Sequence, residues 1–139
     1  MSKEKKVIII PCSGIGKSFG SVSRMAAFQV TEDDRPESTQ LVPLALLVLG
    51  DEEARAALEN NPVIVIDGCQ LACAAKMVQE SGGTVAKEMA VLDFYRQNRE
   101  LRPQGISQLN EGGQKLAVVL AEAVDQVVDD LTTREVENG

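Results

Sequence analysis

The chain has 139 residues, a length that fits one domain with a core of its own. Hydrophobic residues make up 44% and charged residues 25%, as in ordinary globular proteins, while aromatics at only 3% require an aliphatic core. The formal net charge of -7 speaks against nucleic-acid binding and against an anionic membrane surface, because both attract basic faces.

The N-terminus, MSKEKKVIII, is basic and then apolar, like the start of a signal peptide. Pro11 and Cys12 cut the apolar run too early for a secretory leader, so residues 6 to 11 read as a strand buried on both faces. No stretch approaches the roughly 20 apolar residues of a membrane span, and a cytoplasmic protein is expected. A helix is predicted from Ser18 to Val30, then a polar turn over residues 31 to 40. Leu41 to Val48 is apolar and predicts a second strand, with Pro43 pushing it away from a central position. Asp51 is placed to cap a helix that begins with Glu52 and Glu53 and stops at Asn60, Asn61 and Pro62. Val63 to Asp67 (VIVID) is the clearest strand. A helix from Gln70 to Glu80, a strand from Thr84 to Asp93 and an irregular stretch from 94 to 110 follow. The last helix is predicted over Gln114 to Arg134. Its Leu116, Leu120, Val124, Val127 and Leu131 form one apolar stripe, read as a packing face on the sheet or as a homodimer contact through the C-terminal helix.

Buried strands alternating with short helices predict the α/β class: one domain over residues 1–139, a three-layer α/β/α sandwich with a small, mostly parallel sheet of about four strands and a long C-terminal helix. In such sheets ligands bind beyond the carboxyl ends of the strands. Cys12 follows the first strand and Cys69 follows the third, so a 2-1-3-4 strand order puts both on one edge. Cys73 lies four residues beyond Cys69, on the same face if both are helical. Each cysteine sits near a helix N-terminus, which favours thiolate, the form that binds zinc and acts as a nucleophile. Three cysteines without a secretory context do not suggest a disulfide framework, and the absence of histidine excludes a Ser-His-Asp triad, a Cys-His pair and any zinc site containing histidine. The residues thus predict a metal site, zinc first and an iron–sulfur cluster second, on Cys12, Cys69 and Cys73, with Asp67, another carboxylate or water as a further ligand. Against it stands the reading that the three are simply small buried side chains.

Two enzymatic readings compete. PCSGIGKS carries Gly16, Lys17 and Ser18 of a phosphate-binding P-loop, with VIVID and Asp67 as the magnesium-side strand of a nucleotide hydrolase; Pro11 stands where that motif has its first glycine. Cys12 could instead be the nucleophile of a thiol enzyme. The phosphate-gripping arginine of cysteine phosphatases is missing from its loop, and CxxxC is not the CxxC spacing of thiol redox motifs.

The combination PCSGIGKSFGSVSR, LVLGDEEAR and VIVIDGCQLACAAK resembles the DGC-domain family, named for the tripeptide present here as Asp67-Gly68-Cys69. The resemblance runs from about Val7 to Gly83 and implies a zinc site proposed from four cysteines, three of which correspond to Cys12, Cys69 and Cys73. It supplies a site and no activity. The fourth cysteine belongs near the end of strand two, and in LVPLALLV it is replaced, with Pro43 at the matching place. The resemblance therefore leaves open three outcomes: metal held with a solvent or carboxylate ligand, weaker binding, or thiols without metal. Gly14 and Gly16 would bring backbone N–H groups close to metal-bound sulfur, and Ser18 or Ser21 would cap the helix.

Overall fold

A computed structural model of the chain describes residues 6–11, 18–68, 73–104 and 109–138, the side chains of Cys73 and of residues 134–138 excepted. Four strands, β1 (Val7–Pro11), β2 (Thr39–Leu41), β3 (Val63–Asp67) and β4 (Val85–Ala90), form an all-parallel sheet in the order β2-β1-β3-β4. The expected 2-1-3-4 order is the observed one. The helices are α1 (Ser18–Phe28), α2 (Leu44–Val48), α3 (Glu52–Asn60), α4 (Cys73–Glu80), α5 (Val91–Gln97) and α6 (Glu111–Asn138), and a π-helical turn (Gln29–Asp34) extends α1.

Side chains alternate across a strand, and both faces of this sheet are covered. Val7, Ile9, Ile64 and Ile66 point into a core shared with α1, α5 and α6. Ile8, Ile10, Val63 and Val65 point into a second core shared with α2, α3 and α4. Every residue of β1 and β3 is buried, which is why VIII and VIVID are uninterrupted apolar runs rather than alternating ones. On α6 the stripe is turned inward: Leu116, Leu120 and Val124 are fully buried in the first core, with Val127 and Leu131 packed at its margin.

The other elements depart from expectation for identifiable reasons. The apolar run Leu41 to Val48 is not a strand. Val42 N–H still donates to Ile9 O at 3.1 Å, but Pro43 has no N–H with which to extend the ladder and instead precedes α2, whose Leu44 and Leu47 are buried three residues apart. β2 is consequently only three residues long and begins inside the segment expected to be a turn. The predicted strand to Asp93 ends at Ala90, and α5 occupies the start of the stretch expected to be irregular. α6 begins at Glu111, not Gln114, because Gly112 and Gly113 belong to its first turn. A Cβ on Gly112 would lie 2.9 Å from Arg102 O, so that glycine permits a close crossing and does not mark a helix boundary. Asp51 does cap α3: its carboxylate accepts from Ala54 N–H at 2.9 Å. The predicted helix from Gln70 is described from Cys73 onward, its first residues lying outside the described part.

Candidate functional site

β1 and β3 are neighbours, and Pro11 is the register partner of Ile66. Beyond β1 the chain turns into α1, on one face of the sheet; beyond β3 it turns into α4, on the opposite face. The connections that follow the two strands therefore go to opposite faces, which makes the β1–β3 boundary a topological switch point, the place where open α/β sheets bind ligands. Cys12 comes directly after Pro11 and Cys69 directly after Gly68, so both cysteines leave the described chain from adjacent strand ends. Cys73 opens α4. Cys12 and Cys69 themselves, with Gly14, Gly16 and Lys17, lie outside the described residues, as does the side chain of Cys73. Among the described residues no group of three or more potential ligands is close enough to hold a metal ion.

The flanks of the two loops touch. A Cβ on Gly68 would stand 2.8 Å from Phe19 O and 2.9 Å from Gly20 Cα and N, so only glycine lets the end of β3 lie against the first turn of α1. That turn begins at Ser18, immediately after the first loop. Phe19 is held from the other side by Tyr95 of α5, with ring centroids 5.7 Å apart and the rings tilted by 56°.

Asp67 is the sequence-predicted ligand whose environment is visible. It continues the alternation of Val63 and Val65 and so points toward α4, only 2% exposed. Its Oδ1 accepts from Ala74 N–H at 3.2 Å, tying β3 to the N-terminus of α4. Its Oδ2 is buried, and no N–H or hydroxyl of the described residues donates to it. Burial pushes the carboxyl above its ordinary range, the Ala74 amide pulls it partly back, and both the charge of the neighbouring acid Glu88 and a hydrogen bond with it add to the rise. A buried carboxylate oxygen without a donor suits a bound cation, which would satisfy the lone pairs that the protein leaves unmet.

Glu88 was not picked out by sequence reasoning. It sits on β4 opposite Val65, on the α4 side of the sheet. Strand alternation hints at that side, but the pairing of β4 with β3 contains a register shift between Val63 and Ile64 that no local pattern announces. Pro43 lies just past β2, at this same carboxyl edge of the sheet, and has no metal-ligating side chain.

A parallel sheet covered by helices on both faces, with the switch point between its first and third strands, defines a doubly wound α/β domain. The chain matches the DGC domain over residues 8–128 and belongs to that family. No curated protein and no solved structure matches it. No helix among the described residues is long and apolar enough to cross a membrane.

Proposed function

We propose that this DGC-domain protein is a metal-binding module that holds zinc with the thiolates of Cys12, Cys69 and Cys73 and with a carboxylate oxygen of Asp67. The observation that carries the reading is the pairing of Pro11 with Ile66, which launches the Cys12 and Cys69 loops from adjacent strand ends. Gly68 keeps the flanks of those loops in contact, and α4 starts at Cys73 with its second residue bonded to Asp67. Asp67 takes the coordination place that Pro43 leaves without a donor; three sulfurs and one oxygen complete the four ligands zinc prefers. Asp67 Oδ1 keeps its amide partner while Oδ2, to which no described N–H or hydroxyl donates, meets the ion.

The test is metal analysis of protein purified without oxygen, paired with thiol titration. One zinc per chain, lost in a triple cysteine-to-serine variant and weakened in Asp67→Asn, is the expected result. Full alkylation of the native thiols with no metal detected would assign the cysteines a reactive-thiol role instead. Nucleotide binding that vanishes in Lys17→Ala and survives the serine substitutions would replace the zinc reading with a hydrolase.

A further inference from the structure

β4 is the edge strand beside β3, and the register of the two strands sets a second acid next to Asp67. Ile66 lies opposite Met89, and both are buried in the core shared with α1, α5 and α6. Val65 lies opposite Glu88, and Asp67 lies opposite Ala90. These four alternate to the other side of the sheet, the side of Val63, Val65 and α4. Glu88 is therefore the diagonal neighbour of Asp67 across one strand pair, on the same face. The two acids differ in their access to water. Asp67 comes from an interior strand and is buried, while Glu88 comes from the edge strand and is exposed. Lys87, the neighbour of Glu88 in β4, falls on the opposite side with Ile64. Among the described residues no lysine or arginine forms an ion pair with either acid.

Two carboxylates of one sign, the outer in water and the inner buried, make a negative path from solvent to Asp67 Oδ2, the buried oxygen to which no described N–H or hydroxyl donates. A buried carboxylate alone attracts ions weakly at a distance, because few field lines leave it into solvent; an exposed one beside it extends that reach. We propose that Glu88 is the capture residue of the metal centre: its carboxylate draws a divalent cation from solvent and passes it to Asp67. This inference rests on the reading of Asp67 as a zinc ligand. It assigns Glu88 to the loading of the site, not to its final coordination, because a charge at the rim of a binding site acts chiefly on the rate of association. Diagonal neighbours on a sheet stand roughly 7 Å apart, and one unit charge at that distance from a divalent ion in water changes the attraction by about five- to tenfold. The edge position of β4 suits the role, since a side chain on an interior strand has no such access to water.

Stopped-flow transfer of zinc from a fluorescent chelator to the reduced full chain, at low salt and without oxygen, reads the loading rate. Glu88→Gln should load about five- to tenfold more slowly than wild type, and the difference should shrink in high salt as the charge is screened. Glu88→Asp keeps the charge and should load within about twofold of wild type. Glu59→Gln removes the same charge from the last turn of α3, four residues before β3 begins at the opposite end of the sheet, and should leave the rate unchanged. Glu88→Gln loading as fast as wild type, Glu88→Asp loading as slowly as Glu88→Gln, or Glu59→Gln slowing it equally, overturns the capture role and leaves the zinc reading standing. A wild-type chain that takes up no zinc removes both.

Discussion

Replacing Gly68 by alanine tests the packing that the candidate site depends on. The added methyl would sit 2.8 Å from Phe19 O and 2.9 Å from Gly20 Cα and N. All three are backbone atoms of one helix turn, so no side chain can swing aside. The end of β3 and the start of α1 must separate by several tenths of an ångström, in a place where Ile66 and Val22 are already fully buried. Overpacking of this kind costs about 1–3 kcal/mol. For a domain of this size that corresponds to a melting temperature lower by roughly 3–12 °C. Thermal unfolding by circular dichroism measures it, and zinc titration of the same protein measures the second consequence: forcing the two loop flanks apart should weaken a site built from both. A melting temperature within about 1 °C of wild type, together with unchanged zinc affinity, would falsify the claim that contact between these flanks shapes the candidate site.

Leu120→Ala empties part of the core beneath α6, where Leu120 is fully buried, and should cost about 2–5 kcal/mol in denaturant unfolding. Asp51→Ala removes the acceptor for Ala54 N–H and should cost about 1 kcal/mol, with α3 fraying first in hydrogen exchange. Pro43→Cys returns a thiolate to the carboxyl edge just past β2 and should tighten zinc binding in a competition titration; unchanged affinity would remove Pro43 from the ligand geometry. Asp125 carries a pH signature in global stability. Its carboxyl is raised from 3.8 to about 7 in the folded chain, so between those values the unfolded chain has lost a proton that the folded chain retains. The contribution of this group to folding stability should therefore be greatest below pH 4, fall as the pH rises and level off above 7, by at most about 4 kcal/mol. Asp125→Asn should remove that part of the slope from urea denaturation measured at pH 5 and pH 8.

Much of the fold was legible locally. β1 and β3 announced themselves because a strand covered on both faces leaves no place for a polar residue, and the aspartate cap of α3 was visible because a cap acts within one helical turn. The stripe on α6 was legible for the same reason: its period belongs to the helix itself. The apolar run after Leu41 misled because hydrophobicity alone does not separate a strand from a buried helix, and the decisive feature was one missing N–H at Pro43. Gly112 and Gly113 read as preceding the last helix because glycine is a poor helix former; here the crossing of residues 101 and 102 requires the small residue at 112.

The candidate sites divide in the same way. Cys12, Asp67, Cys69 and Cys73 could be singled out because each follows a recognisable strand or opens a recognisable helix. Nothing local marks Glu88, since its nearness to Asp67 depends on how β4 is registered against β3. Nor does anything mark Arg35 and Asp129, which are brought together by the packing of α6 on the π-helical turn. Residue order thus determined which segments could be strands and helices, and which end of each strand carried sulfur or carboxylate, because those properties are set by neighbours a few bonds away. Tertiary structure alone decided which strand ends lie side by side and which charged groups meet, because contacts between distant segments are chosen by the burial of whole faces, not by the residues that meet there.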